Sequence, residues 1–516
     1  MALKSIALIK QASTRFQKKQ AKALSLAQAQ GMAGRYSDAE RTYQTLLVAH
    51  PEEPSLLTEY GSLLIKAHSV ESGLGLLEKS LQILNNQPRA WTMKGVALTL
   101  LLRFDEALDC FRRSLEIDPA FVPTYINRGR LYRAMGVMEP ARKDYLKAIQ
   151  LDPKIPEAHY NLGNTLRDLD QPESALDAYD AALALNPNTH KARIAKGLIK
   201  LALGRWPEAL EDYAARWQLP SMGNSRSPGA LALGPAHQRA GKRILVYSEQ
   251  GLGDTIQFCR YAKQLADEGA EVTLAVQPEL KGILGSLDPR LSIIALGEAD
   301  SHPHDHDCAM LDLLSVLKAS PDQIPDQRAY LSAPAEQCTL WQQRLSEDHQ
   351  FRIGLVWAGG DRSHRTNEHL FVNRRRNIPL EILLTAALPG VTFYSLQKGD
   401  TAERALELQQ KSVDAFPRVI NLASELNDFS TTAAVIACLD LVISVDTAVA
   451  HLTGALGKNL VILNRFDSDW RWFPGGEGCS WYASGRVLRQ SSYGDWESVI
   501  PQLREVISAL IQKKPG

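Results

Sequence analysis

The stretch that decides the fold of the N-terminal half is LRFDEALDCFRRSLEIDP, Leu102 to Pro119. It returns as GVMEPARKDYLKAIQLDP over 136–153 and as DQPESALDAYDAALALNP over 170–187, a step of 34 residues. Upstream, Gly34-Arg35-Tyr36 leads to Ala39, Tyr43 and Pro51; downstream, Gly204 leads to Ala209 and Tyr213. A degenerate copy with Gly61, Gly73, Leu77 and Ser80 fits between the first two. Each repeat reads as two antiparallel helices. Gly95, Gly129, Gly163 and Gly197 in the first helix, and Ala107, Ala141, Ala175 and Ala209 in the second, let backbones approach. Phe111, Tyr145 and Tyr179 are expected to fill the space between hairpins. Pro119, Pro153 and Pro187 stop the second helix, because proline blocks its continuation.

A 34-residue period of helical hairpins is that of tetratricopeptide (TPR) repeats, and about six fit residues 20–217. One hairpin cannot bury its own apolar face, so the hairpins are expected to stack into a superhelix with a concave groove. Asn127, Asn161, Asn164 and Arg128 lie on first helices, where groove-facing side chains arise. Asparagines there resemble the ladders with which TPR arrays grip an extended peptide. Solvated helix positions are the alternative. Residues 1–19 are basic and read as a leading helix.

From 218 to 241 the pattern breaks into a linker rich in Pro, Gly and Ser. A β-rich run, ILVYSE, follows, then the loop Gln250-Gly251-Leu252-Gly253-Asp254, a helix and a second strand, EVTLAV. This is the start of a parallel α/β sheet. SIIAL (292–296) and Cys308-Ala309-Met310 add strands. A second such lobe opens at RIGLVWAGG (352–360) and continues through VTFYSLQKG, VINLA, LDLVISVDT and NLVILN, with helices near 428–438, 447–456 and 495–512. In open α/β sheets ligands bind beyond the carboxyl ends of the strands, so chemistry belongs in the loops after them.

Composition sets the outer limits. With 516 residues, two or three folding units are expected; Lys+Arg and Asp+Glu both number 58, which removes any global pull toward nucleic acid or an acidic membrane. No run approaches the roughly 18 apolar residues of a transmembrane helix. The N-terminus lacks the pattern of a signal peptide. Six scattered cysteines without a C-x-x-C pair read as reduced thiols, which predicts a cytoplasmic protein. The HPHDHD run (302–307) has the look of a metal cluster, but a polar loop before a strand is the preferred reading, and no metal is expected.

EQGLGDTIQFCRY, GLVWAGG, YSLQKG, LDLVISVDTAVAHLTGALGK, DWRWF and the late GDW resemble a bacterial family of TPR proteins with a glycosyltransferase domain related to the lipopolysaccharide heptosyltransferases (glycosyltransferase family nine). The resemblance covers nearly the whole chain. It implies a TPR superhelix followed by a GT-B fold: an acceptor-side lobe at 242–345 and a nucleotide-sugar lobe at 346–516. It also implies an inverting, metal-independent sugar transfer with no cofactor. The expected partners are a nucleotide-sugar donor and a protein acceptor recruited by the TPR groove. A glycan or lipid-linked acceptor, and a non-catalytic TPR scaffold, are the alternatives. Self-association is left open.

The resemblance also assigns roles. Asp254 matches the family's general base, and the same carboxylate suits an N-cap on a helix beginning near Thr255. Gly251 and Gly253 permit close backbone approach to a donor. Asp446, Thr447 and His451 follow a strand and open a helix, the element that meets the donor's phosphates in the family; Asp446 itself is read as a cap or loop brace. Arg376, with Arg375 next, is the expected phosphate arginine, and Lys398 beside Gln397 a second cation. The residues 361–373 read as a longer loop than the family's. Among Asp469, Trp470, Arg471 and Trp472, the tryptophans are expected to pack the lobe, Trp472 above all, or to stack on a base.

Overall fold

The structure, a computed structural model, describes residues 16, 18, 20–219, 222, 233–360, 375–411, 417–472 and 479–514. The chain divides into two compact units, Met1–Pro187 and Asn188–Gly516.

The first unit holds five helical hairpins: Ala21–Met32 with Tyr36–Ala49, Pro54–Lys66 with Val70–Ile83, Pro88–Leu100 with Phe104–Ile117, Val122–Ala134 with Met138–Leu151, and Pro156–Asp168 with Pro172–Leu185. The turn inside each hairpin uses one left-handed residue. These residues are Gly34, His68, Leu102, Gly136 and Asp170, with φ of 74°, 66°, 60°, 83° and 60°, and they recur at the repeat step. Glycine takes this conformation freely, whereas other residues are strained in it. In the second, third and fifth repeats His68, Leu102 and Asp170 hold the place that glycine holds in the first and fourth.

Phe111, Tyr145 and Tyr179 are all buried. Each ring lies against the glycine of its own hairpin: a Cβ on Gly95, Gly129 or Gly163 would stand 2.7, 2.8 or 2.6 Å from the ring. The second hairpin has no such ring. There a Cβ on Gly61 or Gly73 would stand 2.9 or 2.7 Å from the other glycine's carbonyl oxygen. Buried hydroxyls knit neighbouring hairpins: Thr92 and Thr124 are 2.7 Å apart and Ser114 is 2.7 Å from Thr124. In a dry interior such pairs satisfy one another's hydrogen bonds.

The second unit begins one repeat earlier than the sequence reading placed it. The sixth hairpin, His190–Ala202 with Trp206–Tyr213, shares the hydrophobic core of the α/β domain through Leu201, Trp206, Ala209 and Leu210. Trp206 stacks on Trp481 with ring centres 5.7 Å apart and meets Trp470 edge-on at 6.0 Å. Large aromatic rings dominate core energetics, so this hairpin belongs to the domain it buries. Of the expected linker, 220–221 and 223–232 lie outside the described residues, and Leu233 is buried in the same core.

The α/β domain has two parallel sheets. The first contains β1 (Arg243–Tyr247), β2 (Glu271–Val276), β3 (Ser292–Ala295) and β4 (His306–Ala309) in the order 3-2-1-4. The second contains β5 (Phe351–Val356), β6 (Val391–Ser395), β7 (Val419–Asn421), β8 (Leu441–Val445), β9 (Leu460–Asn464) and β10 (Gly485–Arg489) in the order 10-9-8-5-6-7. Every pairing is parallel. This is the two-lobed α/β architecture expected. Strand β10 escaped the sequence reading, because GRVLR is half polar. The C-terminal helix starts at Ile500, later than expected, and packs Leu503, Val506 and Ile507 on the outer face of the second sheet. The inner faces of both lobes and the sixth hairpin share one core.

Candidate functional site

A cleft of about 660 Å³ opens between the carboxyl ends of the two sheets. One wall is the loop after β1 and the start of the helix Leu252–Phe258: Gly251, Leu252, Gly253 and Asp254. The other is built from loops of the second lobe and carries Arg376, Gln397, Lys398, Asp446, Thr447, His451 and Arg471.

The helix after β1 begins at Leu252, three residues earlier than expected, with Gly251 at its N-cap. Asp254 is therefore not the cap itself. It sits at the third helical position and closes a capping box, its Oδ2 accepting from the Gly251 N–H at 2.9 Å. Its Oδ1 accepts from Arg471 at 2.5 Å, so both carboxylate oxygens are engaged. Arg471 also donates to Asp469 at 2.9 Å and to Gln257 at 2.9 Å, and its guanidinium lies 4.7 Å from the Trp470 ring centre. Burial disfavours its charge, but Asp254 and then Asp469 outweigh that and raise its pKa further. Burial lifts the Asp469 carboxyl, and Arg471 overcomes this to leave it below the ordinary range. Sequence reasoning gave Arg471 no role. The signal was a cation between two tryptophans in a stretch of matched motif.

Thr447, not Asp446, caps the helix Ala448–Ala455: its Oγ1 accepts from Ala450 N–H at 3.5 Å and lies 2.8 Å from Ser444 Oγ. Asp446 braces the loop instead. Its carbonyl accepts from Arg376 at 3.0 Å, and its carboxylate lies 3.8 Å from His451 Nε2. His451 is buried. Its Nδ1 is 2.9 Å from the Tyr482 hydroxyl, and its ring stacks on Trp472 at 5.2 Å. Gly253 crosses directly over it: a Cβ there would come within 2.8 Å of the imidazole. Trp470 and Trp472 are both buried in the lobe, so neither presents a face for a base.

Burial, then Arg471, lowers the His451 pKa from the usual 6.5 to about 3. The native imidazole is neutral, while the unfolded one protonates near 6.5. As pH falls through that value, only the unfolded chain gains the proton, so stability drops progressively from pH 6.5 toward 3, by about 2 kcal/mol at pH 5. His451→Gln should remove this component. Urea midpoints at pH 7 and pH 5 check it: wild type should lose more than the variant, and equal losses would contradict a buried neutral imidazole.

The two expected arginines differ. Arg375 turns away from the cleft into a buried pair with Asp467 at 2.8 Å. Arg376 lines the cleft, its guanidinium lying so close over Gly359 that any side chain there would overlap it. Lys398 lines the cleft too and donates to the Leu426 carbonyl at 2.7 Å. Gln397 is almost fully buried and braces the loop after β5, its Oε1 accepting from Trp357 and Ala358 N–H at 3.1 and 2.9 Å. Arg374 and the expected long loop at 361–373 lie outside the described residues.

The other expected residues lie elsewhere. In the repeats, Asn127 is half-buried and donates to the Pro123 carbonyl at 2.8 Å. Asn161 is buried, and Asn164 accepts from the Tyr179 hydroxyl at 2.8 Å inside its own hairpin. Arg128 is paired with Asp144 at 2.8 and 2.7 Å. In the HPHDHD run, Asp305 pairs with Arg243 at 2.8 Å, His302 lies 3.1 Å from Thr273 Oγ1, and His304 lies 2.7 Å from the His302 carbonyl. Among the described residues no group of His, Cys, Asp or Glu has a metal-holding arrangement. No helix among them is long and apolar enough to cross a membrane.

Comparison with known proteins divides the chain in the same way. Tetratricopeptide repeat profiles match residues 24–88, 88–121 and 156–189, and a further TPR repeat profile matches 129–170. The profile of glycosyltransferase family 9 (heptosyltransferase) matches residues 389–476. Protein FlbA of Caulobacter vibrioides is 28% identical over 343 residues, which is 62% of this chain and 54% of that protein. The chain thus spans about half the length of this curated relative. Among solved structures, a thermophilic TPR protein from Thermus thermophilus is 20% identical, covering 35% of this chain and 99% of its own, with a TM-score of 0.33. Pseudomonas aeruginosa pilF is 20% identical, over 35% of this chain and 79% of its own, with a TM-score of 0.31. The chain therefore joins an N-terminal array of tetratricopeptide repeats to a C-terminal α/β domain whose residues 389–476 match glycosyltransferase family 9 (heptosyltransferase).

Proposed function

We propose that the protein transfers a sugar, with inversion, from a nucleotide-sugar donor to an acceptor hydroxyl on a protein that the TPR repeats recruit. The observation that carries the proposal is one cleft that brings the Asp254 carboxylate from the first lobe opposite Arg376, Lys398 and a helix N-terminus of the second. The acceptor oxygen attacks the anomeric carbon as its bond to the donor phosphate breaks. Asp254 takes the acceptor's proton. The nucleotide leaves with the charge of its phosphate or pyrophosphate met by Arg376, Lys398 and the amides that open the helix Ala448–Ala455. No metal or other cofactor forms part of the proposal.

The protein acceptor follows from the other half of the chain, since stacked helical repeats present extended binding surfaces for other macromolecules. The test is a thermal-shift titration of the full chain with CMP-, UDP-, GDP- and ADP-linked sugars. A ligand that binds only the native state stabilises it by about 2.7 kcal/mol at a hundred times its Kd. One nucleotide should raise the melting temperature selectively, and Arg376→Met should abolish the rise. No shift with any donor in the folded protein would overturn the reading.

A further inference from the structure

The loop that delivers Asp254 to the cleft is held by several hydrogen bonds, and two of the holding groups come from the last repeat hairpin and the turn that follows it. Gln250 donates from Nε2 to the hydroxyl of Tyr213, the final residue of the helix Trp206–Tyr213, at 2.7 Å. Its carbonyl accepts from Gln277 at 2.9 Å, and Gln277 accepts in turn from Thr255 Oγ1 at 2.9 Å. One residue before it, Glu249 accepts from Arg216 at 3.3 Å and from the Met310 N–H at 3.1 Å. Arg216 lies in the single turn that follows the hairpin and also reaches Asp312, at the end of β4, at 2.5 Å. Its guanidinium lies 4.8 Å from the ring centres of both Tyr213 and Trp217. Trp217 completes the cluster by donating to the other oxygen of Asp312 at 3.2 Å.

We propose that the last repeat hairpin is a working part of the transferase, with Tyr213 and Arg216 as positioning residues that fix the Glu249–Asp254 loop so that Asp254 faces the cleft. This rests on the reading of Asp254 as the base. The argument is geometric. Side chains that merely packed the hairpin onto the domain would be apolar, as Trp206 and Leu210 are. Tyr213, half-buried, and Arg216, buried, instead direct polar atoms at successive residues of one loop, where a hydrogen bond shielded from solvent is costly to lose. Arg216 is 5% exposed and faces two carboxylates. Burial first, moderated by Arg216 and reinforced by Asp312, pushes the Glu249 carboxyl up to about 7. A reacting group displaced by about 1 Å loses roughly a hundredfold in rate, so control of the loop is control of the chemistry.

The experiment uses the full chain with Tyr213→Phe, Gln250→Leu and the double variant. Tyr213→Phe removes one oxygen and keeps the ring that packs on Arg216. The expected result is a melting temperature within about 2 °C of wild type and an unchanged donor-induced shift. The kcat of transfer should fall roughly ten- to a hundredfold with the donor KM unchanged. Gln250→Leu should fall equally, and the double variant no further, because the two residues act through one bond. Arg216→Lys, which keeps the charge but loses the fork, should fall partway. Wild-type kcat in both single variants, or fully additive losses, would overturn the proposal.

Amide hydrogen exchange across 249–254 separates this from a failure of the functional reading. Tyr213→Phe should speed exchange there by about tenfold or more even if no sugar is transferred by any form. Unchanged protection would overturn the proposal regardless of activity.

Discussion

Asp254→Asn should lower transfer by about a thousandfold, within the range that a positioned general base supplies, while the donor should still bind. The geometry makes the comparison clean on one side and demanding on the other. Asparagine keeps the size of the side chain and still accepts from Arg471 through its one oxygen. Its amide then faces the Gly251 N–H, where the carboxylate now closes the capping box, so about 1 kcal/mol of helix stability is lost as well. Melting curves beside rate constants separate the two effects. A thermal shift by the donor equal to that of wild type, with kcat reduced and little change in the donor KM, is the expected pattern. Turnover equal to wild type would remove Asp254 from the reaction and leave it as a capping residue paired to Arg471. The pair matters to the chemistry too. A base that accepts a proton beside a guanidinium does so against that cation, so the acceptor oxygen must displace or share one of the Arg471 contacts.

Arg260→Met destabilises the second unit by about 4 kcal/mol, a large part of the roughly 5–15 kcal/mol typical of a folded domain. Arg260 is fully buried. It donates to the carbonyls of Gln257, Pro325 and Trp481 at 2.8, 3.2 and 3.1 Å and to the Tyr330 hydroxyl at 2.8 Å, with its guanidinium 4.1 Å from the Tyr330 ring centre and 5.0 Å from that of Tyr482. Gln257 belongs to the first lobe and Trp481 to the second, so one side chain ties both together with the segment between them. Methionine fills the volume but leaves those acceptors without donors, each at a cost of about 1–3 kcal/mol. Lysine keeps the charge yet cannot reproduce the planar fork, and should fall between. Urea denaturation measures both. A methionine variant within about 1 kcal/mol of wild type would mean that the carbonyls find other donors.

Most of the architecture was legible. The 34-residue step marked five of the six hairpins through glycine, alanine and aromatic positions, because those residues meet the closest backbone approaches. The second hairpin was legible only in part, since Leu77 stands where Tyr43, Phe111, Tyr145 and Tyr179 stand in other repeats and its close contact is glycine on glycine. Nine of the ten strands were read, as buried parallel strands are continuous apolar runs. The order of the strands, and the joining of the sixth hairpin to the α/β core, were not legible: both depend on long-range packing that no local pattern reports. The cleft was read in outline. The loops after β1, β6 and β8 were identified because ligands bind at strand ends, and Asp254, Arg376, Lys398, Asp446, Thr447 and His451 do line one cavity. Which arginine faces it was not legible, because adjacent residues in a loop point different ways: Arg375 meets Asp467, and Arg376 the cleft. The partners of Asp254, Arg471 above all, lie far away in sequence and leave no local trace.

The boundary at Pro187 has an evolutionary corollary. Arrays of this kind change length by gain and loss of whole units, since each unit contacts only its neighbours. Here the last unit has surrendered that freedom: its tryptophan stacks in the interior of the α/β domain, and its tyrosine, with the arginine of the turn after it, holds a loop of that domain. Recombination that trims or extends the array is tolerable only upstream of residue 188, and relatives with shorter or longer arrays should differ in the hairpins before it while retaining this one.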